Sequence, residues 1–128
     1  MNGNVLSIPV SVVQNWFDPF RQSDRNIIAE AKQLGIVYQA YSLLGTQWKY
    51  IGDGYRGNKD PVFTSKTLQD IAANHEGKSV AQIVLKWALQ SEIGILPSSS
   101  KKQRIEANIE LFDFELSEDE MQRIDQIA

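Results

Sequence analysis

The sequence contains no cysteine. That excludes disulfides, thiolate metal sites and a cysteine nucleophile. There is one histidine, His75, in the stretch IAANHEGKS. A Ser/His/Asp triad or a histidine-rich metal site would rest on it alone, and no neighbouring pattern supports either. A histidine just before Gly77 reads instead as a residue at a helix C-terminus, favoured by the dipole, or as a surface residue. No apolar run approaches the roughly 20 residues of a membrane span. The first residues, MNGNVLSIPV, have no basic segment and too short an apolar run for a secretory leader. The expectation is a cytoplasmic protein with no membrane partner. The formal net charge is −3, so nothing draws the whole chain to nucleic acid, and any anion site must be local. A GxGxxG dinucleotide fingerprint is also absent.

What is present is enough for one domain and one core: 128 residues, 42% of them hydrophobic and 23% charged. The β-branched stretch from Val10 to Asn15 predicts a short buried strand. Asp18-Pro19 breaks the chain. Ser23 or Asp24 caps a helix to about Leu34, with Ile27, Ile28, Ala31 and Leu34 as its apolar face and Gly35 as its end. Ile36–Ser42 predicts a second strand, giving a parallel βαβ unit. A long glycine- and aromatic-rich loop, 43–63, follows. Loops of this length are uncommon unless they act as lids or binding loops, and the plainer alternative is a mobile insertion. Ser65–Asn74 reads as a helix with Leu68, Ile71 and Ala72 inward. Ser79–Gln82 is a capping box opening a helix to about Gln90, and Ile93–Leu96 is a third short strand. Ser100–Gln103 is a second capping box, for a helix carrying Ile105, Ile109 and Phe112. Ser117–Glu120 is a third, for a last helix with Met121, Ile124 and Ile127 at helical spacing. Three buried strands alternate with about five helices. The late acidic residues Glu110, Asp113, Glu115, Glu118, Asp119, Glu120 and Asp125 read as a solvated helical face.

In parallel α/β sheets ligands bind at the carboxyl ends of the strands. Three stretches fall there: QNWFDP, YSLLG and PSSSKKQR. The third places Lys101, Lys102 and Arg104 at a helix N-terminus, where the dipole disfavours cations. A bound anion would reverse that. Backbone N–H groups, serine hydroxyls, Lys101 and the forked guanidinium of Arg104 together suit a phosphate. Asn108, one turn on, could pair with the edge of a flat polar ring. The plain alternative is a serine cap with solvated lysines.

Four segments in order, VVQNWFDPF, QAYSLLGTQW, SVAQIVLKWALQ and ILPSSSKKQRIEANIELFDFELSEDEMQRID, resemble the C-terminal part of the aldo-keto reductases. The resemblance covers essentially the whole chain and is most specific from Val80 to Asp125. It implies an α/β fold, part of a (β/α)8 TIM barrel, with about three parallel strands, crossover helices and a C-terminal helix. All of 1–128 would form one incomplete-barrel domain. It also implies NADP(H) as cofactor. By the same resemblance, Gln14 would bond the nicotinamide carboxamide and Tyr41 would stack on the nicotinamide ring. Ser42 and Leu44 would line the pyrophosphate path. Ser99, Arg104 and Asn108 would contact the 2′-phosphate and adenine, and the long loop would fold over the cofactor. Leu43 replaces the usual proline, Ala107 a frequent glutamate, and Ser98 a frequent lysine for which Lys101 could compensate.

The family's catalytic Asp, Tyr, Lys and His lie on early barrel strands, and this chain resembles the barrel from near the sixth strand onward. No tyrosine here takes the proton-donor place, and no lysine or histidine is set to lower a tyrosine pKa. No family-type carbonyl reduction is expected from this chain alone. Three strands cannot close a barrel, so two edges and apolar interior positions would seek a partner. That partner would be a second copy or a complementary N-terminal half-barrel chain. Two other readings stand beside this one: a protein-interaction or regulatory module with a vestigial cofactor site, and half of a reductase completed by another chain.

Overall fold

In the computed structural model, the described residues are 12–95 and 111–128. They form β1 (Val12–Trp16), α1 (Arg25–Gln33), β2 (Val37–Tyr41), a 3-10 helix (Thr46–Tyr50), α2 (Lys66–Ala73), α3 (Val80–Gln90), β3 (Gly94–Ile95) and α4 (Glu118–Asp125). The three strands make one parallel sheet in the order β1-β2-β3, as the βαβ reading predicts.

The strands are buried on one face only, in keeping with the uncovered interior positions expected of an unclosed barrel. Strand side chains alternate between faces. Tyr38 and Ala40 of β2 lie in the core, while Val12, Gln14, Val37 and Tyr41 are exposed. Helices cover one face of the sheet. The other face carries the rows Val12–Val37, Gln14–Gln39–Gly94 and Trp16–Tyr41 in direct register. A Cβ on Gly94 would stand 3.0 Å from the Gln39 side chain, so glycine gives β2 and β3 room to pair there.

The core gathers on the helical side. Trp87 of α3 is fully buried and stacks on Phe17, with centroids 5.5 Å apart. Its indole N–H donates to Asp125 at 2.9 Å, and Arg25 donates to the same carboxylate oxygen at 2.6 Å. The side chain of Gln22 donates to the Ile124 carbonyl at 3.2 Å. α4 is thereby fastened to the start of α1. Apolar burial from Leu68, Ile71, Ile83, Val84 and Ile124 fills the space between α2, α3 and α4.

Helix starts follow the local code. Ser65 caps α2, and the boxes at Ser79–Gln82 and Ser117–Glu120 are both formed. Gly35, at φ 71, ends α1 as expected. Other expectations are corrected. Asp24 stands at the N-cap position of α1 but makes no cap bond, because its carboxylate instead accepts from Asn15 and Tyr38, both at 2.6 Å. Ile27 and Leu34 leave the core, Leu34 at 66% exposure, so the apolar stripe of α1 is Ile28 and Ala31. Phe112 is 81% exposed and lies outside the described helices. Val10, Leu96, the Ser100–Gln103 box, Ile105 and Ile109 lie outside the described residues.

His75 is not a surface residue. Its Nε2 lies 2.9 Å from both oxygens of Glu120, and its ring packs 5.4 Å from that of Phe114. Glu120 is therefore no member of a solvated face either, although Glu118 and Asp119 are exposed. Burial pushes the Glu120 pKa up. The Ser117 backbone N–H, His75 and the Ser117 hydroxyl outweigh it and hold the carboxyl below its ordinary value. A group with a depressed folded pKa contributes stability above its unfolded pKa and loses it as pH falls through the folded value. His75→Ala should thus cost about 1–2 kcal/mol at neutral pH. The gap between the two melting curves should shrink as pH drops through the carboxylate range. A gap that stays constant with pH would show that the pair does not carry the effect.

Candidate functional site

The site runs from the middle of β1 to the end of β2. Gln14 and Tyr41 share the open sheet face. Gln14 sits opposite Gln39, and Tyr41 is two residues further along the same strand as Gln39. That separation is about 6–7 Å at ordinary strand rise. The Gln14 Nε2 donates to Gln39 Oε1 at 3.0 Å, which orients the amide along the face. Tyr41 is 41% exposed, so its ring is available to a ligand rather than consumed in the core.

The chain then turns sharply. Ser42 has φ 58, a left-handed conformation that costs a non-glycine residue on the order of 1 kcal/mol. Its carbonyl accepts from the Gly45 N–H at 2.9 Å and its hydroxyl from the Gln47 N–H at 3.1 Å, which holds the turn. Leu44, two residues after Ser42, is half-buried and packs against the core. Gly45, at φ 79, permits the 43–63 segment to leave closely. A Cβ there would come within 2.7 Å of the Val62 side chain.

Across from that turn, Asp18 follows β1 and is fully buried. Its Oδ2 accepts from the indole N–H groups of Trp16 at 2.8 Å and Trp48 at 2.9 Å. Its Oδ1 accepts from the backbone N–H groups of Phe20 at 2.6 Å and Arg21 at 3.0 Å. Burial pushes the Asp18 pKa above the ordinary carboxylate value, and the four hydrogen bonds oppose that shift without cancelling it. Arg21 donates to the Trp16 carbonyl, and its guanidinium lies 4.9 Å from the Trp16 ring.

The long segment 43–63 is not a featureless insertion. The 3-10 helix brings Trp48 edge-on to Trp16 at 4.9 Å, and Tyr55 edge-on to Trp48 at 5.3 Å and to Phe20 at 4.9 Å. Tyr50 and Phe63 point outward.

The strand register puts Gln14 and Tyr41 on one face, Ser42 follows Tyr41 in the turn, and Leu44 packs against the core. Ser99, Lys101, Arg104 and Asn108 lie outside the described residues. Sequence reasoning missed Gln39, Asp18 and the Trp16–Trp48 pair. A signal existed in the alternation Trp16, Asp18, Phe20, but Asp18-Pro19 also reads as a plain turn. No three His, Asp or Glu side chains among the described residues could hold a metal, and no described helix is long and apolar enough to cross a membrane.

The sequence model of the aldo/keto reductase family matches residues 4–128. The chain belongs to the aldo/keto reductase family. It is 36% identical to a morphine 6-dehydrogenase of Pseudomonas putida over 82% of this chain, and 37% identical to an NAD(P)H-dependent D-xylose reductase of Scheffersomyces stipitis over 88% of it. It spans 35% of the length of each. Among solved structures it resembles an aldo-keto reductase from a Medee basin deep-sea metagenome library, with a TM-score of 0.78 and 27% identity, covering 98% of this chain and 42% of that one. A mutant of Gox0644 in complex with NADPH gives a TM-score of 0.78 at 25% identity, covering 97% and 40%. The three-stranded sheet is part of the TIM-barrel fold of this family, as the sequence resemblance implies.

Proposed function

We propose that this chain supplies the nicotinamide-facing part of an NADP(H) site in a carbonyl reductase, with the cytoplasm as its compartment. The observation that carries the reading is the placement of Gln14 and Tyr41 on one open face of parallel strands, Tyr41 at the carboxyl end of β2 and Gln14 in mid-β1. An exposed aromatic face beside an oriented primary amide suits a flat ring bearing a carboxamide. The family relationship supports the same cofactor. NADPH, when bound, supplies hydride. Tyr41 would hold the nicotinamide ring and Gln14 its carboxamide, and the 43–63 segment, packed on Trp16 and Phe20, would limit access of water from the β1 side. By resemblance, Arg104 and Ser99 would take the 2′-phosphate, Asn108 the adenine, and Lys101 would add charge.

Reduction of a carbonyl also needs a proton donor. Tyr38, the strand tyrosine, does not suit that role: burial and the hydrogen bond to Asp24 push its pKa up, and its hydroxyl already donates to that carboxylate. The donor would therefore come from strands outside this set of three. β1 and β3 each leave one edge free among the described strands, which favours completion by further barrel strands, from a complementary half-barrel or a second copy.

The test is a calorimetric titration of the chain with NADPH and NADH at low salt. Tyr41→Ala should weaken both cofactors about 3–10-fold, the worth of an aromatic contact. Arg104→Ala should weaken NADPH about 10–100-fold, as for a charge-assisted hydrogen bond, and leave NADH nearly unchanged. Equal losses for the two cofactors would remove the phosphate assignment. No heat at millimolar cofactor would favour an interaction module with a vestigial site.

A further inference from the structure

We infer that Asp18 is a positioning residue that ties the 43–63 segment to the open sheet face beside Tyr41 and so sets how long a dinucleotide stays there. The residence-time part rests on the cofactor reading above; the anchoring part does not.

Three observations converge on Asp18. First, it is a fully buried carboxylate whose partners come from two separate stretches: Trp16, Phe20 and Arg21 around the end of β1, and Trp48 thirty residues later. A carboxylate accepts only, so it can bind four donors at once without conflict. A neutral amide cannot. Second, the rings interleave across the same seam. Trp48 of the long segment meets Trp16, Tyr55 meets Phe20, and Trp48 and Tyr55 meet each other. Third, Trp16 is paired in register with Tyr41. The residue that Asp18 orients is therefore the direct neighbour of the residue assigned to the nicotinamide. A shift of the Trp16–Trp48 pair would change the wall next to that ring.

Burying a carboxylate is costly unless it is fully hydrogen-bonded. The loop supplies the fourth donor through Trp48. Opening the segment removes that donor and leaves the carboxylate one partner short, which penalises opening. That makes the closed position the preferred one without any contact to a ligand.

Asp18→Asn keeps the shape but sets an NH2 group against N–H donors on one side. Trp48→Phe removes one indole N–H and keeps most of the ring. Hydrogen exchange without cofactor reads the anchor. The amides of 46–55 should exchange about tenfold faster in Trp48→Phe, the loss of one hydrogen bond to a charged group, and at least as fast in Asp18→Asn, whose NH2 group opposes two donors, while those of α3 stay unchanged. Unchanged exchange at 46–55 in a folded Trp48→Phe protein would overturn the anchor. Stopped-flow release of NADPH reads the second part. Its off-rate should rise about tenfold with little change in on-rate, in line with the general pattern that related variants differ mainly in dissociation. Faster exchange with an unaltered off-rate would overturn the residence-time role. No binding of NADPH by the unmodified chain would overturn it as well, together with the cofactor reading, and the exchange result would still decide the anchor.

Discussion

Replacing Trp87 with alanine should lower the unfolding free energy by about 3–5 kcal/mol, the usual range for a large buried aromatic. Trp87 is fully buried in α3, stacks on Phe17 at 5.5 Å and donates its indole N–H to Asp125 at 2.9 Å. The substitution opens a cavity between β1 and α3 and removes one of two donors to a carboxylate that fastens α4. Domains of this size hold about 5–15 kcal/mol in total, so the variant should lose about a fifth of its stability or more. Trp87→Phe keeps the stacking and loses the hydrogen bond, for about 1–2 kcal/mol. Urea unfolding followed by circular dichroism checks both. A loss under about 1 kcal/mol for the alanine variant, well below the range for buried aromatics, would mean that the site collapses around the gap and that Phe17 does not depend on it.

The second large effect is local. Gly54 has φ 81, and a Cβ there would stand 2.3 Å from the Asn58 carbonyl oxygen. That contact is with backbone, so no side chain can rotate away. Tyr55 and Asn58 exchange backbone hydrogen bonds of 2.8 and 2.9 Å immediately beyond, and the Asn58 side chain donates to Thr64 at 2.8 Å. Gly54→Ala should therefore dismantle this part of the segment, at about 1–3 kcal/mol for a strained backbone. The loss cannot exceed the free energy of opening the segment itself, because opening relieves the clash. The melting temperature should consequently move little, while limited proteolysis should cut within 50–60 at a rate raised about tenfold or more, as opening becomes that much cheaper. Unaltered cleavage would show that the turn accepts a Cβ by a small backbone shift.

Much of this architecture was readable because it is written locally. Ser79 with Gln82, and Ser117 with Glu120, announce two helix starts within four residues each, and both boxes form. Gly35 marks the end of α1. The βαβ order fixes parallel pairing. What stayed hidden depends on distant partners. Nothing near Asp18 says that it receives Trp48, and nothing near His75 says that it meets Glu120 forty-five residues later. Asp24 shows the competition directly: its position predicts a cap, yet Tyr38 and Asn15 claim its carboxylate. The open face was also illegible from composition, since β-branched strands look alike whether one face or both are covered. Gln14, Tyr41 and Ser42 were reached through family resemblance, and the strand register then put the first two on one face.

The fastening of α4 to α1 has a temporal side. Arg25 and Asp125 are 100 residues apart, and Gln22 and Ile124 are 102 apart. At roughly 5–20 residues per second of synthesis, about 5–20 s separate the appearance of the two halves of this clasp. Throughout that interval α1 exists without its final neighbour, and Asp125 is not yet there to receive the Trp87 indole. A nascent chain of this kind has a built-in waiting period, during which β1 and α1 are made while β3, at residues 94–95, and the α4 clasp are still to come, and chaperone contact would matter most in that window.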